Sequence, residues 1–256
     1  MIELKKKFVL KRSELGRKFR VENNNLDLSD IIQTTGYDIA RIGDVAPAHR
    51  NDRKKAETSD SVFRYVQISD IDIELGRIKS FRTFRGDNAP NNARRIMREG
   101  DVLVSTRRPT RGAVISVPSE FDAQICTVFF TSLRVSNREE LDPRYLALFL
   151  RTSLARYQFS SLITETAYPV ISDDDVENMS ILLPPIEVQR TLAQSFEFEV
   201  QSFFDRLNVA YAGITGARDA VESAILLNHA EVSAVRRFGL VEEAQEDEMV
   251  EEPTAD

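Results

Sequence analysis

Leu182-Leu183-Pro184-Pro185-Ile186-Glu187-Val188-Gln189-Arg190 is the stretch around which the chain is organised. Proline lacks a backbone donor and pushes the residue before it into extended conformations, so the pair ends whatever precedes it and imposes an extended lead-in. From about Ile186 the apolar residues Leu192, Phe196, Val200, Phe203, Leu207, Tyr211, Ile214, Val221 and Ile225 recur mostly three or four positions apart, the period of one helical stripe. A single helix over residues 187–230 would be on the order of 65 Å long at ~1.5 Å per residue, and one helix cannot bury such a stripe alone. Gly213 and Gly216 each cost about 1 kcal/mol relative to Ala inside a helix, so a helical hairpin turning at these glycines fits the same spacing.

Upstream of the prolines the pattern changes to short elements. Phe63-Arg64-Tyr65-Val66-Gln67-Ile68 alternates as a strand does, and Gly100-Asp101 turns into Val102-Leu103-Val104, whose unbroken apolar character predicts a buried strand. Ala113 to Val117 continues that strand after a loop, and Ile125 to Leu133 is a further apolar run in which Cys126 reads as a buried strand residue. Asp142-Pro143 is an N-cap followed by proline at the first helical position, and Ser172-Asp173-Asp174-Asp175 is a capping box with acids in the first turn. Mixed strands and helices predict an α/β (mixed α+β) globular domain.

Composition limits the function class. No apolar run approaches the ~20 residues needed to span a bilayer, and Lys5-Lys6-Lys7 is followed only by Phe8-Val9-Leu10, too little for a signal-peptide core, so a cytoplasmic protein is expected. One cysteine permits no disulfide within the chain, and two histidines, His49 and His229, suggest no metal site. The net charge of −7 conceals an asymmetry: residues 1–183 carry 29 Lys and Arg against 26 Asp and Glu, whereas residues 184–256 carry 5 against 15. Within residues 41–111 the count is 16 basic against 10 acidic, and 13 of the 16 are arginine, the side chain suited to phosphate and to bidentate reading of guanine. Glu242 to Asp256 is acidic and lacks aromatics, as a disordered tail does.

At the Pro184-Pro185 junction the chain resembles the DNA specificity subunits of type I restriction-modification systems, which alternate a target-recognition domain with a long helix. The likeness rests on Leu183, Pro184, Pro185, Glu187 and Gln189, with Val188 standing between the acid and the amide. Farther back it includes Gly100 to Ser105, Tyr145 to Leu150 and Ile171-Ser172, so that residues 40–235 follow the family's order. The resemblance implies a target-recognition domain over residues 1–183 and a conserved helix over 184–237 for dimerisation and methyltransferase-subunit binding, ahead of the acidic tail at 238–256. It implies a chain without catalytic activity or cofactor, serving adenine-N6 methyltransferase subunits that bind S-adenosylmethionine and, for restriction, a motor-nuclease subunit. A full-length specificity subunit carries two such units and this chain one, so it is expected to pair with itself as a homodimer or with another half on double-stranded DNA.

Two arginine-bearing segments are the base-reading candidates: Arg107, Arg108, Thr110 and Arg111 in one loop, and Arg82, Arg85, Asn88, Asn91 and Asn92 in another. Arginine bridges two guanine acceptors and asparagine pairs with adenine. Thr164, Thr166 and Tyr168 match the family's variable loop by position, and Arg50, Arg53, Lys54 and Lys55 are expected to contact phosphate, which positions without specifying. A charged, solvated hairpin tip is the plain alternative for the 105–112 loop. For the whole chain the alternatives are a coiled-coil scaffold with a basic nucleic-acid-binding domain and a metal nuclease using Asp70, Asp72, Glu74 and Lys79. Leu183-Pro184-Pro185-Ile186 lacks the polar residue and the stacking ring of an adenine methyltransferase motif, and no Gly-Lys-Ser/Thr phosphate loop is present.

Overall fold

The computed structural model describes residues 36–50, 60–163 and 169–226. Arg53, Lys54, Lys55, Thr164, Thr166, Tyr168 and the expected acidic tail lie outside the described residues.

The domain closes on itself at the proline pair. Strand β1 (Asp38–Arg41) runs antiparallel to β11 (Ser180–Leu183), with Asp38 opposite Leu183 and Arg41 opposite Ser180. Tyr145 donates its hydroxyl proton to the Leu182 carbonyl at 2.9 Å, and Gln158 brackets Ser180 by donating to its carbonyl and accepting from its N–H at 2.9 and 2.7 Å. The side-chain amide thus stands in for the backbone of a neighbouring strand.

Between these ends lie two larger sheets. One holds β5 (Arg82–Arg85), β2 (Val62–Val66), β9 (Ile125–Thr127) and β6 (Ala93–Ile96) in that spatial order, with β2 and β9 parallel. The other holds β10 (Phe130–Leu133), β7 (Val102–Ser105) and β8 (Val114–Ser116), all antiparallel. The 125–133 run is therefore two strands in different sheets, with the crossover at Val128-Phe129. The unbroken apolar reading of 102–104 has its cause in the packing: Val102 and Val104 join one core cluster and Leu103 the cluster on the opposite face. Helices α2 (Pro143–Phe149) and α3 (Ser153–Leu162) contribute Tyr145, Leu146, Phe149, Ala155 and Phe159 to the first cluster, which also receives Ile42 from α1 (Ile42–Val45) and Val176 from α4 (Asp173–Glu177). Both expected caps form, Asp142 accepting from the Arg144 N–H and Ser172 completing a capping box with Asp175.

The small hairpin of β3 (Ile71–Asp72) and β4 (Arg77–Ile78) turns at Gly76, which has φ +64°. That left-handed backbone conformation is the reason glycine suits this turn. Asp70 and Asp72, two of the candidate nuclease acids, serve this local structure. Asp70 accepts from the Gln67 N–H and the Ser80 hydroxyl, and Asp72 accepts from the N–H groups of Glu74 and Leu75.

Helix α5 (Ile186–Leu226) is one 41-residue element that continues through Gly213 and Gly216, so the helical hairpin is not formed. The chain divides after Phe196 into two compact units, which assigns the first turns of α5 to the globular unit. Those turns are anchored by Gln189, which is fully buried. Its carbonyl oxygen accepts from the Asp142 N–H, and its NH₂ group donates to the carbonyls of Glu140 and Pro184, at 2.8–2.9 Å. Phe196 is half-buried with the Arg151 guanidinium 5.0 Å from its ring, so this stripe residue contributes to the globular unit. In the second unit Phe203, Tyr211, Ile214, Val221 and Ile225 are exposed and Val200 and Leu207 half-buried. Leu192 of the same stripe is exposed within the first unit. No helix of the described residues is long and apolar enough to cross a membrane.

Candidate nucleic-acid interface

The 105–112 segment is held in place at several points. The Thr106 N–H and hydroxyl both donate to the Phe129 carbonyl at 2.9 Å, and the Ser105 hydroxyl donates to the Arg107 carbonyl at 2.8 Å. On its other side the Arg108 N–H donates to the Pro169 carbonyl at 2.9 Å and the Ile171 N–H to the Thr106 carbonyl at 3.0 Å, with Arg107 bridged to Val170. A tight 3-10 turn, Pro109–Arg111, carries Thr110 and Arg111, preceded by Arg108 at φ 51° and followed by Gly112 at φ 76°. The loop is tied down through its backbone while Arg107 and Arg111 remain exposed. These bonds also join the segment to the stretch that follows Tyr168, the other region expected to read bases.

The arginine side chains are presented from this frame. The Arg107 guanidinium lies over the Phe129 ring with 3.5 Å to the centroid, a cation–π contact worth about 0.5–1 kcal/mol at an exposed position. Arg107, Arg108 and Arg111 line one groove of about 600 Å³ together with Lys79, Ser69 and Asp72. The groove carries four cations against one carboxylate, that of Asp72, which accepts from two backbone N–H groups of its own turn. Sequence reading missed Phe129, because a phenylalanine within an apolar run reads as core, and it placed Lys79 only as the lysine of a possible metal-nuclease site.

The second arginine segment is more regular than expected. Arg82 and Arg85 lie on β5, an edge strand of the four-stranded sheet, because Phe84 between them packs against the cluster of Phe63, Tyr65, Ala89, Ala93 and Ile125. Arg82 donates to the Gln67 side chain at 2.7 Å, and Gln67 donates to the Ser69 hydroxyl at 2.8 Å, a chain of contacts that ends on the groove wall. Arg85 is paired with Asp60 at 2.5 Å and lies 3.8 Å from Asp87, an exposed arrangement worth about 0–1 kcal/mol that an incoming phosphate or base could replace. Asn88 and Asn91 are exposed. Asn92 is half-buried, accepting from the Tyr65 hydroxyl at 3.2 Å through its side chain and from the Val128 N–H at 3.0 Å through its carbonyl, so it is committed to the fold.

Arg50, expected at phosphate, is exposed and donates to Asp173 at 2.6–2.7 Å, and the Thr131 hydroxyl donates to the same carboxylate. Burial raises the Asp173 carboxyl, but the Thr131 hydroxyl and the Arg50 guanidinium outweigh it and hold the group below its ordinary range. Asp142 behaves alike: burial raises it, and hydrogen bonds from Arg144 bring it below the usual value. Among the described residues no group of three or more His, Cys, Asp or Glu converges to hold a metal ion.

The sequence model of the type I restriction modification DNA specificity domain matches residues 34–198, which takes in every element from β1 to the first turns of α5. The chain belongs to that family. Its specificity domain is similar to the HindI specificity subunit of Haemophilus influenzae, a type I restriction enzyme subunit, at 23% identity over 167 residues, 57% of this chain and 36% of that one. Among solved structures the HsdS subunit from Thermoanaerobacter tengcongensis is 32% identical with a TM-score of 0.58, covering 73% of this chain and 47% of that one. A chain from a structure describing complex assembly and conformational transition of the type I R-M system is also 32% identical, with a TM-score of 0.58 over 77% of this chain and 49% of that one. The type I restriction-modification S subunit from M. genitalium shares the fold at 14% identity and a TM-score of 0.50. The chain thus spans about half the length of the solved relatives it matches.

Proposed function

We propose that this chain is a DNA-reading specificity domain that brings adenine-N6 methyltransferase subunits to a bipartite site in duplex DNA. It has no catalytic role of its own: S-adenosylmethionine belongs to the methyltransferase partner, and cleavage, where it occurs, to a motor-nuclease subunit. The observation that carries the reading is the pinned 105–112 segment, which presents Arg107, Arg108 and Arg111 to one positively charged groove inside a specificity-family domain. A rigid support matters because bidentate base reading, worth about 1–3 kcal/mol of discrimination per pair, is lost when the guanidinium is not held in register. Arg82, with Asn88 and Asn91 at the neighbouring turn, extends the reading surface, and Thr164, Thr166 and Tyr168 stay base-reading candidates from the sequence alone.

Two such domains are needed for a bipartite site, and residues 34–198 form one. The exposed apolar residues of α5 supply the means, since pairing with a second α5 removes Phe203, Tyr211, Ile214, Val221 and Ile225 from water. The homodimer is the simplest form of that pairing, with a different half-subunit as the other. Its test is sequencing of genomic DNA for N6-methyladenine in cells with and without the gene. Loss of one bipartite motif is expected, palindromic for a homodimer and asymmetric for a mixed pair. No change of motif in cells that contain the methyltransferase would overturn the proposal.

A further inference from the structure

Given the DNA-reading function proposed above, we propose that Lys79 and Arg156 are contacts to the DNA backbone that seat the duplex against the Arg107–Arg111 segment. Neither is among the residues that sequence reading assigned to DNA, and they come from different elements: Lys79 follows β4, and Arg156 is on α3. Arg111 brings them together. It lines the 600 Å³ groove with Lys79 and a second cavity of about 250 Å³ with Arg156, so the two hollows meet at one side chain.

The charge of this surface is one-sided. Lys79, Arg107, Arg108, Arg111, Arg151 and Arg156 line the two hollows against Asp72 and Glu74, and Asp72 is engaged by its own turn. Arg151 is occupied, donating to the carbonyls of Ile73 and Glu74. Lys79, Arg111 and Arg156 differ from it, and from Arg50, Arg85, Arg134 and Arg144, in making no side-chain hydrogen bond or ion pair to any described residue. Exposed cations without an internal partner, arranged along adjoining open hollows, suit a chain of phosphates better than a single small anion, which needs donors converging on one point. Lysine is a compact point charge without a planar fork, so at residue 79 it fits a phosphate and not a base edge.

The measurement is a salt titration of binding to mixed-sequence duplex DNA by fluorescence anisotropy, using the full chain. Each of Lys79→Ala and Arg156→Ala is expected to lower the slope of log K against log salt by about 0.9 per chain bound. The affinity loss should be alike on every duplex sequence, Lys79→Arg should restore the slope, and the methylated motif in cells should be unchanged. Both side chains are exposed, and an unaltered urea midpoint verifies that the variants fold. Should the wild type bind with a steep salt dependence and both Ala variants keep its slope, this assignment fails and the DNA-reading function stands. A loss confined to one sequence makes the residue a base reader and overturns the backbone role. A wild-type chain that binds duplex DNA with no salt dependence removes the DNA-reading function and this assignment together.

Discussion

The Gln189 amide makes three hydrogen bonds in a fully buried position, to the Asp142 N–H and to the carbonyls of Glu140 and Pro184. Gln189→Leu keeps the volume but strands three backbone groups, so a loss of about 3 kcal/mol in unfolding free energy is expected, read as a lower urea midpoint at constant slope. A midpoint equal to that of wild type would show that the amide does not anchor α5. Asp142 and Asp173 predict the acid limit of the domain. Both carboxyls are lowered in the fold, so their contribution is complete above the unfolded-state value of about 3.9 and is lost as pH falls from there through the folded values. Urea midpoints measured against pH should therefore hold level above that value and drop below it, and Asp173→Asn should flatten the drop. At the reading loop, replacing Arg107 and Arg108 together by Ala is expected to abolish or relax the methylated motif with little change in stability. Retention of the same motif would remove this loop from DNA reading.

Helix α5 carries two glycines that its own chain does not require. Nothing lies within 4 Å of a Cβ built at Gly213 or Gly216. Replacing each by Ala should therefore stabilise the helix by about 1 kcal/mol, seen as a higher melting temperature by circular dichroism. A lower melting temperature in the double variant would mean that a second helix comes close at these positions. The exposed stripe makes a separate prediction. Phe203→Glu with Ile214→Glu places charges in the proposed pairing face, and light scattering should find monomers where the wild type gives dimers. If the wild type is itself monomeric at micromolar concentration, the pairing partner is a different half-subunit or the reading of the stripe is wrong.

The domain is closed by β1 on β11, so that the globular unit and the start of α5 meet at Pro184-Pro185. Gln189 and the Tyr145 hydroxyl bond to Leu182 fix the proline pair and the first turn of α5 to the globular unit.

Local signals were legible without any fold. The proline pair, the long apolar period, the Asp142 and Ser172 caps and the buried 102–104 strand each depend on neighbours a few residues away, where backbone geometry and helical or strand period dominate. The Arg107–Arg111 segment could also be singled out, because charge between two apolar strands is conspicuous. What sequence could not supply was the partner of each side chain. Arg50 and Asn92 were expected at DNA and are held by Asp173 and Tyr65, contacts made across 123 and 27 positions. Phe129 emerges as the support of Arg107 only because the chain changes sheets at that residue. Lys79 and Arg156 meet Arg111 only after a hairpin and a helix from separate parts of the chain pack around one loop. Such pairings are decided by the folding of distant segments together, and no local pattern encodes them.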